Sequence, residues 1–366
     1  MRREWPLLLS YGTAAVFFIF HQQLLDRLET PLWAALAFAW LFAVILQSAF
    51  SVVRHSEILA SIVGEPFGTL ILTFAITAIE VMMIAAVMLT GPPVSFLARD
   101  TMFAVVMIVF NGMAGLALLL GGLRYHEQTY NLQGANAFLA VIVPLAVIGL
   151  VLPNFTVSGE GPTLSTLHEI FLIFMSLALY GVFLAIQTRS HRKYFLGPDE
   201  SFLDTDESSA HAQRDVRPAA WHGALLIAHI VPIILLSKQI ALPIEFGVNL
   251  FDAPETVVGF LVAVLVLSPE SLAAVRAALA NHLQRSINLL LGSVLASISL
   301  TIPAVLVIGL LTGRTVILGL APVDTIMLLL TLALSTLTFA SGRTNVLLGA
   351  VHLLLFLAYL MLIFER

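Results

Sequence analysis

The sequence contains no cysteine and few charged residues. Asp, Glu, Lys and Arg make up only 11% of its 366 residues, against about 25% in soluble domains. The missing cysteine excludes a disulfide scaffold. The formal net charge of −5, without a basic patch, argues against a nucleic-acid partner. A Gly-x-x-x-x-Gly-Lys-Ser/Thr motif is also missing, so we expect no nucleotide partner and no ATP-driven pump.

Apolar residues are abundant instead, at 59% with a mean hydropathy of +1.00. A water-soluble fold of this size cannot bury so much apolar surface. A bilayer-spanning helix needs about 20 mostly apolar residues, and we therefore predict an all-α polytopic membrane protein with about eleven transmembrane helices. The predicted spans lie near 7–25, 32–53, 68–90, 102–122, 136–153, 168–187, 221–241, 256–280, 287–311, 321–340 and 345–364.

One long polar segment divides the chain into two halves. Residues 188–220 begin basic and become acidic over 199–207, which is typical of a solvated linker. Five helices on each side of it must have opposite orientations, the inverted-repeat plan of many secondary transporters. The predicted organisation is a leading helix (1–31), a first five-helix repeat (32–187), an acidic cytoplasmic linker (188–220) and a second five-helix repeat (221–366).

Positive charges predict the orientation of the chain. With the N-terminus in the cytoplasm and the C-terminus outside, twelve of the 17 Lys and Arg residues lie on the cytoplasmic side. The first span follows Arg2 and Arg3, like a signal peptide, but lacks a convincing cleavage site before Gln22. We expect this helix to be retained.

Two carboxylates fall near the middle of predicted spans. Glu80 lies in the third span and Glu270 in the eighth, each in the second helix of its half. A charge at the bilayer centre costs about 2.5–3.5 kcal/mol on insertion scales and usually marks an ion or proton pathway. Because the two positions correspond, we interpret them as a paired site for metal cations and protons at the membrane midplane, rather than as structural hydrogen-bonding groups.

Small and hydroxyl-bearing residues accompany both glutamates on the same helix and on the next one. Amide, hydroxyl and carbonyl oxygens suit hard cations such as Ca²⁺ and Na⁺, and nothing in the sequence indicates a soft metal. The candidate supporting ligands are Thr77, Asn111, Ser268, Gly292, Ser293 and Ser297.

Two facing carboxylates carry a charge of −2 that is costly in a low dielectric. One divalent cation or two protons would neutralise the site, because burial and like-charge proximity favour protonated carboxyl groups. A site that reorients only when neutral exchanges cations for protons. A passive cation channel and a proton-coupled organic-solute symporter are the alternatives, although no buried Lys or Arg is evident for an organic anion.

Several other polar residues allow two interpretations. Glu65 opens the third span and either offsets the helix dipole or acts at the cytoplasmic mouth, with Arg54 and His55 as partners. His229 and His352 lie inside spans, where a neutral ring bonded to backbone is the usual case and a proton relay is the alternative.

The segments around these residues resemble the cation/proton exchanger (CAX) branch of the calcium/cation antiporter superfamily, and within it the ChaA-type bacterial antiporters. The resemblance covers nearly the whole chain and rests on residues 51–55, 64–72, 79–81, 259–263, 267–270, 288–299 and 341–346.

This resemblance implies that Glu80 and Glu270 are the paired cation and proton carboxylates, and that Gly292 and Ser293 form the Gly-Ser pair of the family. The Gly-Asn pairs that precede the glutamates in the broader family are replaced here, which is compatible with a broader cation range. It further implies a bacterial inner-membrane antiporter, not an enzyme, with no resident cofactor. Its partners would be the lipid bilayer and the transported Ca²⁺, Na⁺ or K⁺ and protons.

Overall fold

A computed structural model describes residues 4–20, 22–24, 30–64, 67–90, 94–156, 163–197 and 218–365. The described chain is dominated by helices. Their bounds are α1 Trp5–Ile19, α2 Pro31–Val63, α3 Phe67–Thr90, α4 Leu97–Tyr125, α5 Leu132–Phe155, α6 Thr166–Ser190, α7 Ala219–Leu250, α8 Thr256–Leu279, α9 Leu283–Thr312, α10 Pro322–Thr338 and α11 Val346–Phe364.

Each predicted span overlaps one of these helices, although the span near 7–25 extends past the end of α1 at Ile19. Eight of the helices in the described chain, α2, α4 to α9 and α11, are long and apolar enough to cross a bilayer. Shorter apolar helical segments cover Trp5–Ile19, Thr73–Leu89 and Pro322–Thr338. The prediction of a helical, multi-pass membrane protein is confirmed, whereas the number of helices that cross the membrane and the inverted repeat stay predictions.

Two helices are longer than the hydropathy pattern predicts. α2 continues to Val63 rather than ending near residue 53, and α7 continues to Leu250 rather than ending near residue 241. At 1.5 Å per residue, helices of this length reach roughly 50 Å, well beyond a hydrocarbon core of about 30 Å. The polar residues that follow each apolar run therefore extend the helix instead of forming a loop.

Specific residues fix the helix ends. Asn131, Ser165 and Asn345 each cap a helix by accepting a hydrogen bond from a backbone N–H in its first turn. Gly64 ends α2 with φ at +76° and Gly313 ends α9 with φ at +67°, a region that glycine enters without strain.

Four helices contain a π-helical stretch, at Met107–Met113 in α4, Val147–Val151 in α5, Ile186–Ser190 in α6 and Ser297–Thr301 in α9. Such stretches are frequent at functional sites because they redirect side chains and loosen the backbone ladder. Those in α4 and α9 contain Asn111 and Ser297, two of the predicted ligands, on the third helix of each half.

Within the described residues, four two-residue strands join loops beside the helices. β1 (Val94–Ser95) pairs in parallel with β3 (Thr315–Val316), whereas β2 (Gln128–Thr129) pairs antiparallel with β4 (Arg343–Thr344). A 3₁₀ turn, Arg192–Phe195, follows α6. Most of the predicted linker, including its acidic run, lies outside the described residues.

The chain divides into two compact units. Unit 1 comprises residues 1–93 and 214–269, with Arg366, and unit 2 comprises 94–213 and 270–365. In unit 1, α2 packs along α7 and α3. Its apolar core is formed by residues of α1, α2, α3, α7 and α8, among them Leu41, Ile45, Met83 and Ile233.

Unit 2 brings α4 against α11 at close range. Helix glycines make this approach feasible: a Cβ on Gly349 would lie 2.8 Å from the carbonyl oxygen of Gly115 and closer still to the backbone nitrogen of Leu119. Close packing through small residues is a common way for membrane helices to associate. His352 on α11 therefore lies beside α4, where it contacts Asn111.

Candidate functional site

Glu80 lies near the middle of α3 and is only 2% exposed. Thr77, one turn earlier, is also buried, and the apolar neighbours Ile76, Ile79 and Met83 belong to the core of unit 1. The carboxylate therefore lies in surroundings that penalise an unpaired charge. This environment matches the predicted position of Glu80 inside the protein rather than in lipid.

Glu270 lies in α8 directly after Pro269 and is partly exposed. Its Oε2 atom accepts a hydrogen bond of 2.5 Å from the hydroxyl of Ser293 on α9. Ser268, in contrast, donates its hydroxyl to the backbone carbonyl of Val264 on its own helix. The structure thus brings Glu270 and Ser293 together, as two neighbouring oxygen ligands would require.

The other candidates on α9 flank this pair. Ser297 is buried at the start of the π-helical stretch, one turn after Ser293. Gly292 lies against α5, where a Cβ would be 3.7 Å from the ring of Phe138. Helix α9 therefore presents a row of small and hydroxyl-bearing residues close to Glu270.

Asn111 belongs to a separate buried network in unit 2. Its side-chain nitrogen donates to the Thr331 hydroxyl at 2.7 Å, and its oxygen lies 3.1 Å from Nδ1 of His352. Nε2 of His352 lies 2.9 Å from the hydroxyl of Thr338. The usual expectation of a backbone-bonded His352 is wrong, because both ring nitrogens have side-chain partners.

The predicted site residues fall in both units. Glu80, Thr77 and Ser268 belong to unit 1, whereas Glu270, Ser293 and the remaining candidates belong to unit 2. The pairing of the two glutamates stays a prediction, as do the roles of Thr77, Asn111, Ser268, Gly292, Ser293 and Ser297.

Unit 1 contains a second polar cluster that the sequence analysis did not assemble. Glu4, before α1, accepts a hydrogen bond from Arg54 on α2 at 3.0 Å, and its Oε2 atom lies 3.2 Å from Nε2 of His55 and 3.3 Å from Nε2 of His229 on α7. His222, two helical turns before His229, places its Nδ1 atom 3.1 Å from Nδ1 of His55.

The charge of Glu4 is stabilised by these neighbours. Burial opposes ionisation, but the hydrogen bond with His55 and the positive charge of Arg54 together lower the pKa of Glu4 below its usual 4.5. Glu4 thus remains a carboxylate at neutral pH, at a point where three helices meet.

Part of this cluster corrects the sequence analysis. Arg54 and His55 were predicted to lie in a loop, but they lie on α2 and bind Glu4. Their predicted pairing with Glu65 stays a prediction, because Glu65 lies outside the described residues. His229 was expected to bond to backbone, and its described partner is the same carboxylate. The spacing of seven residues between His222 and His229 is the one sequence signal for the cluster, because it places both on one helix face.

Comparison with known proteins identifies the family. The model of the sodium/calcium exchanger family matches residues 33–189 and 221–365, which is most of both predicted halves. The match is interrupted only across the predicted linker.

Two curated proteins are similar along most of their length. A putative ionic transporter, y4hA, from Sinorhizobium fredii is 45% identical over 317 residues, covering 86% of this chain and 85% of that protein. The sodium-potassium/proton antiporter ChaA from Escherichia coli is 42% identical over 320 residues, covering 87% of this chain and 86% of that protein.

Solved structures show the same fold at low sequence identity. Native YfkE superposes with a TM-score of 0.75 at 17% identity and covers 99% of this chain and 100% of that one. The H⁺/Ca²⁺ exchanger CAX gives a TM-score of 0.71 at 13% identity, over 99% of this chain and 89% of that one. The chain therefore belongs to the sodium/calcium exchanger family, and within it to the CAX/ChaA type of calcium/cation–proton antiporters.

Proposed function

We propose that this protein exchanges Ca²⁺, and also Na⁺ or K⁺, for protons across the bacterial inner membrane by alternating access. Glu80 and Glu270 would bind the cation and the protons in turn at one site near the midplane. The observation that carries the proposal is that each half of the chain provides one carboxylate within its second apolar helix, and that Glu80 is almost completely buried. The names of the relatives ChaA and CAX agree with cation and proton substrates.

The chemistry follows from charge balance. Two carboxylates in a low dielectric need a divalent cation, two monovalent cations or two protons to become neutral. Ser293 supports this role, because its hydroxyl already bonds Glu270 and its oxygen lone pairs suit a hard cation. If the site could open to the other side of the membrane only when it is neutral, cation flux would be coupled to proton flux. An empty, charged site would not cross, which limits uncoupled ion leakage.

The π-helical stretches of α4 and α9 support the same proposal. They occur on the third helix of each half and contain Asn111 and Ser297. Loosened backbone at membrane depth is tolerated where it lines a cavity or is buried in protein. Thr77, Ser268 and Gly292 remain further ligand candidates, and no bound cofactor is part of the proposed mechanism.

The two alternatives predict different behaviour. A passive channel would carry current without a proton gradient, and a proton–solute symporter would need a partner for the charge of its solute. Among the described residues, no Lys or Arg side chain is buried. Because an organic anion would need such a positive partner, this favours an inorganic cation as the substrate. An inward proton gradient across the inner membrane would drive cation export through such an exchanger.

Everted membrane vesicles test the proposal. Respiration should build a pH gradient that collapses when Ca²⁺, Na⁺ or K⁺ is added, and Glu80→Gln and Glu270→Gln should each abolish the response. Glu245→Gln, exposed on α7, is the matched control and should behave as the unaltered protein. A normal response in either site variant would overturn the site.

Reconstituted liposomes distinguish an exchanger from a channel. With voltage clamped by ionophore, an exchanger should move labelled cation only when protons move in the opposite direction. Cation flux that persists without proton counterflow would favour the channel instead.

A further inference from the structure

We propose that unit 1 contains a second cation site, distinct from the transport glutamates, in which Glu4, His55 and His229 bind a borderline transition-metal dication such as Zn²⁺. One ligand atom from each of these residues lies within 4.8 Å of the other two. Both imidazole rings are buried, with His55 2% and His229 0% exposed. Buried polar groups that converge in an otherwise apolar helix bundle usually have a specific function.

The distances suit a tetrahedral ion. Zn–N and Zn–O bonds are about 2.0–2.2 Å long, so ligands at tetrahedral corners lie about 3.3–3.6 Å apart. Oε2 of Glu4 lies 3.2 Å from Nε2 of His55 and 3.3 Å from Nε2 of His229. A small ion between these three atoms would leave the fourth position to water.

The ligand chemistry separates this site from the transport site. Two imidazoles and one carboxylate favour Zn²⁺ and similar dications, whereas Ca²⁺, Na⁺ and K⁺ prefer an all-oxygen shell. The cluster therefore recognises a different cation from the proposed substrates. The fraction of the cluster that is occupied would therefore depend on the concentration of that second metal.

The surrounding residues orient the ligands. Nδ1 of His222 lies 3.1 Å from Nδ1 of His55, the type of outer contact that sets the tautomer of a metal-bound histidine. Arg54 binds the Glu4 carboxylate at 3.0 Å. Its positive charge opposes a dication, so the site is expected to fill reversibly, as a sensor does, rather than hold a permanent structural metal.

A bound metal ion would crosslink α1, α2 and α7 through its ligands. Glu4 leads into α1, His55 lies on α2, and His229 lies on α7, the helix that packs along α2. An ion bound only by the folded chain stabilises it by an amount that rises with the logarithm of the ion concentration once that concentration exceeds the dissociation constant. We infer that bound Zn²⁺ stiffens unit 1 where α1, α2 and α7 meet, and that this stiffening regulates the protein.

Metal titration of the full chain in detergent tests this inference. The chelator-treated protein is equilibrated with Zn²⁺ by dialysis, and bound metal per chain and the thermal unfolding midpoint are measured. His229→Gln and His55→Gln should each bind one Zn²⁺ fewer per chain, and Zn²⁺ should raise their midpoints less. His282→Gln, at an exposed histidine, is the matched control and should retain the extra ion, and excess Ca²⁺ or K⁺ should not displace it.

Two results would overturn the site. The first is equal Zn²⁺ binding by His229→Gln and the unaltered chain, and the second is no Zn²⁺-dependent stabilisation of the unaltered chain. Either would make the cluster a hydrogen-bonded structural network only. If the histidine variants fail to fold, Glu4→Gln keeps the test decisive, because it removes the carboxylate ligand while retaining similar size. None of these measurements depends on cation–proton exchange.

Discussion

The hydroxyl of Ser293 on α9 donates a 2.5 Å hydrogen bond to the carboxylate of Glu270 on α8. A hydrogen bond to a charged partner contributes about 1.5–3 kcal/mol. If Glu270 and Ser293 bind the cation as proposed, Ser293→Ala should weaken apparent cation affinity by roughly tenfold to a hundredfold, because the carboxylate would lose this hydrogen bond and the proposed oxygen ligand beside it. The measurement is the cation concentration that gives half-maximal exchange in vesicles.

Ser286→Ala is the control for this prediction. Ser286 is buried on the same helix about two turns before Ser293, so the change removes the same atom from a comparable environment. It should leave the half-maximal cation concentration unchanged. An unaltered affinity in Ser293→Ala would show that its hydroxyl is not part of the binding site.

Hydropathy was sufficient to predict the helices but not all of their ends. Every predicted span overlaps a helix for most of its length, because a run of about 20 apolar residues has few other stable conformations in lipid. The end of α2 was misplaced because Arg54 and His55 resemble loop residues in sequence. In the folded chain both residues are helical and contact Glu4, and hydropathy takes no account of such partners.

Side-chain contacts between residues that are far apart in the chain could not be predicted from the sequence either. The burial of Glu80 follows from its position in an apolar helix, whereas the partners of Asn111 depend on how α4, α10 and α11 rotate against one another. His352 lies 241 residues away from Asn111 in the chain, and nothing in a single sequence fixes that contact. The sequence therefore indicated Asn111 only as a candidate ligand and His352 only as an isolated histidine inside a span.

The network around Asn111 should stabilise unit 2. Asn111→Leu, of similar size, would remove a partner from both Thr331 and Nδ1 of His352, and each unpaired buried polar group costs about 1–3 kcal/mol. The free energy of unfolding should fall by that order, which thermal denaturation in detergent would detect. Asn111→Leu combined with Thr331→Val should lose less than the two single changes added together, and simple additivity would contradict a shared network.

The close contact between α4 and α11 predicts a strong effect of one methyl group. Gly349→Ala would place its Cβ within 2.8 Å of the Gly115 carbonyl oxygen, so one backbone must move. Overpacking of this kind costs about 1–3 kcal/mol, and the unfolding midpoint should fall accordingly. Gly181→Ala on α6 is the control, because the added carbon would have no neighbour within 4 Å apart from the adjacent residues and backbone of its own helix. Equal midpoints for the two variants would contradict this packing.

The lowered pKa of Glu4 predicts a pH-dependent contribution to stability. Because the folded chain holds Glu4 ionised below its usual pKa of 4.5, the unfolded chain binds a proton there more readily. The contribution is therefore complete above pH 4.5 and is lost as the pH falls through the lowered value. Glu4→Gln should lower the unfolding midpoint at pH 7 and flatten its decline below pH 4.5, because this variant has no carboxylate to protonate.

Midpoints measured in detergent from pH 3 to pH 7 would test this, with Glu245→Gln for comparison. If the curve of Glu4→Gln ran parallel to that of the unaltered protein, the hydrogen bonds from His55 and the charge of Arg54 would not be stabilising the folded chain.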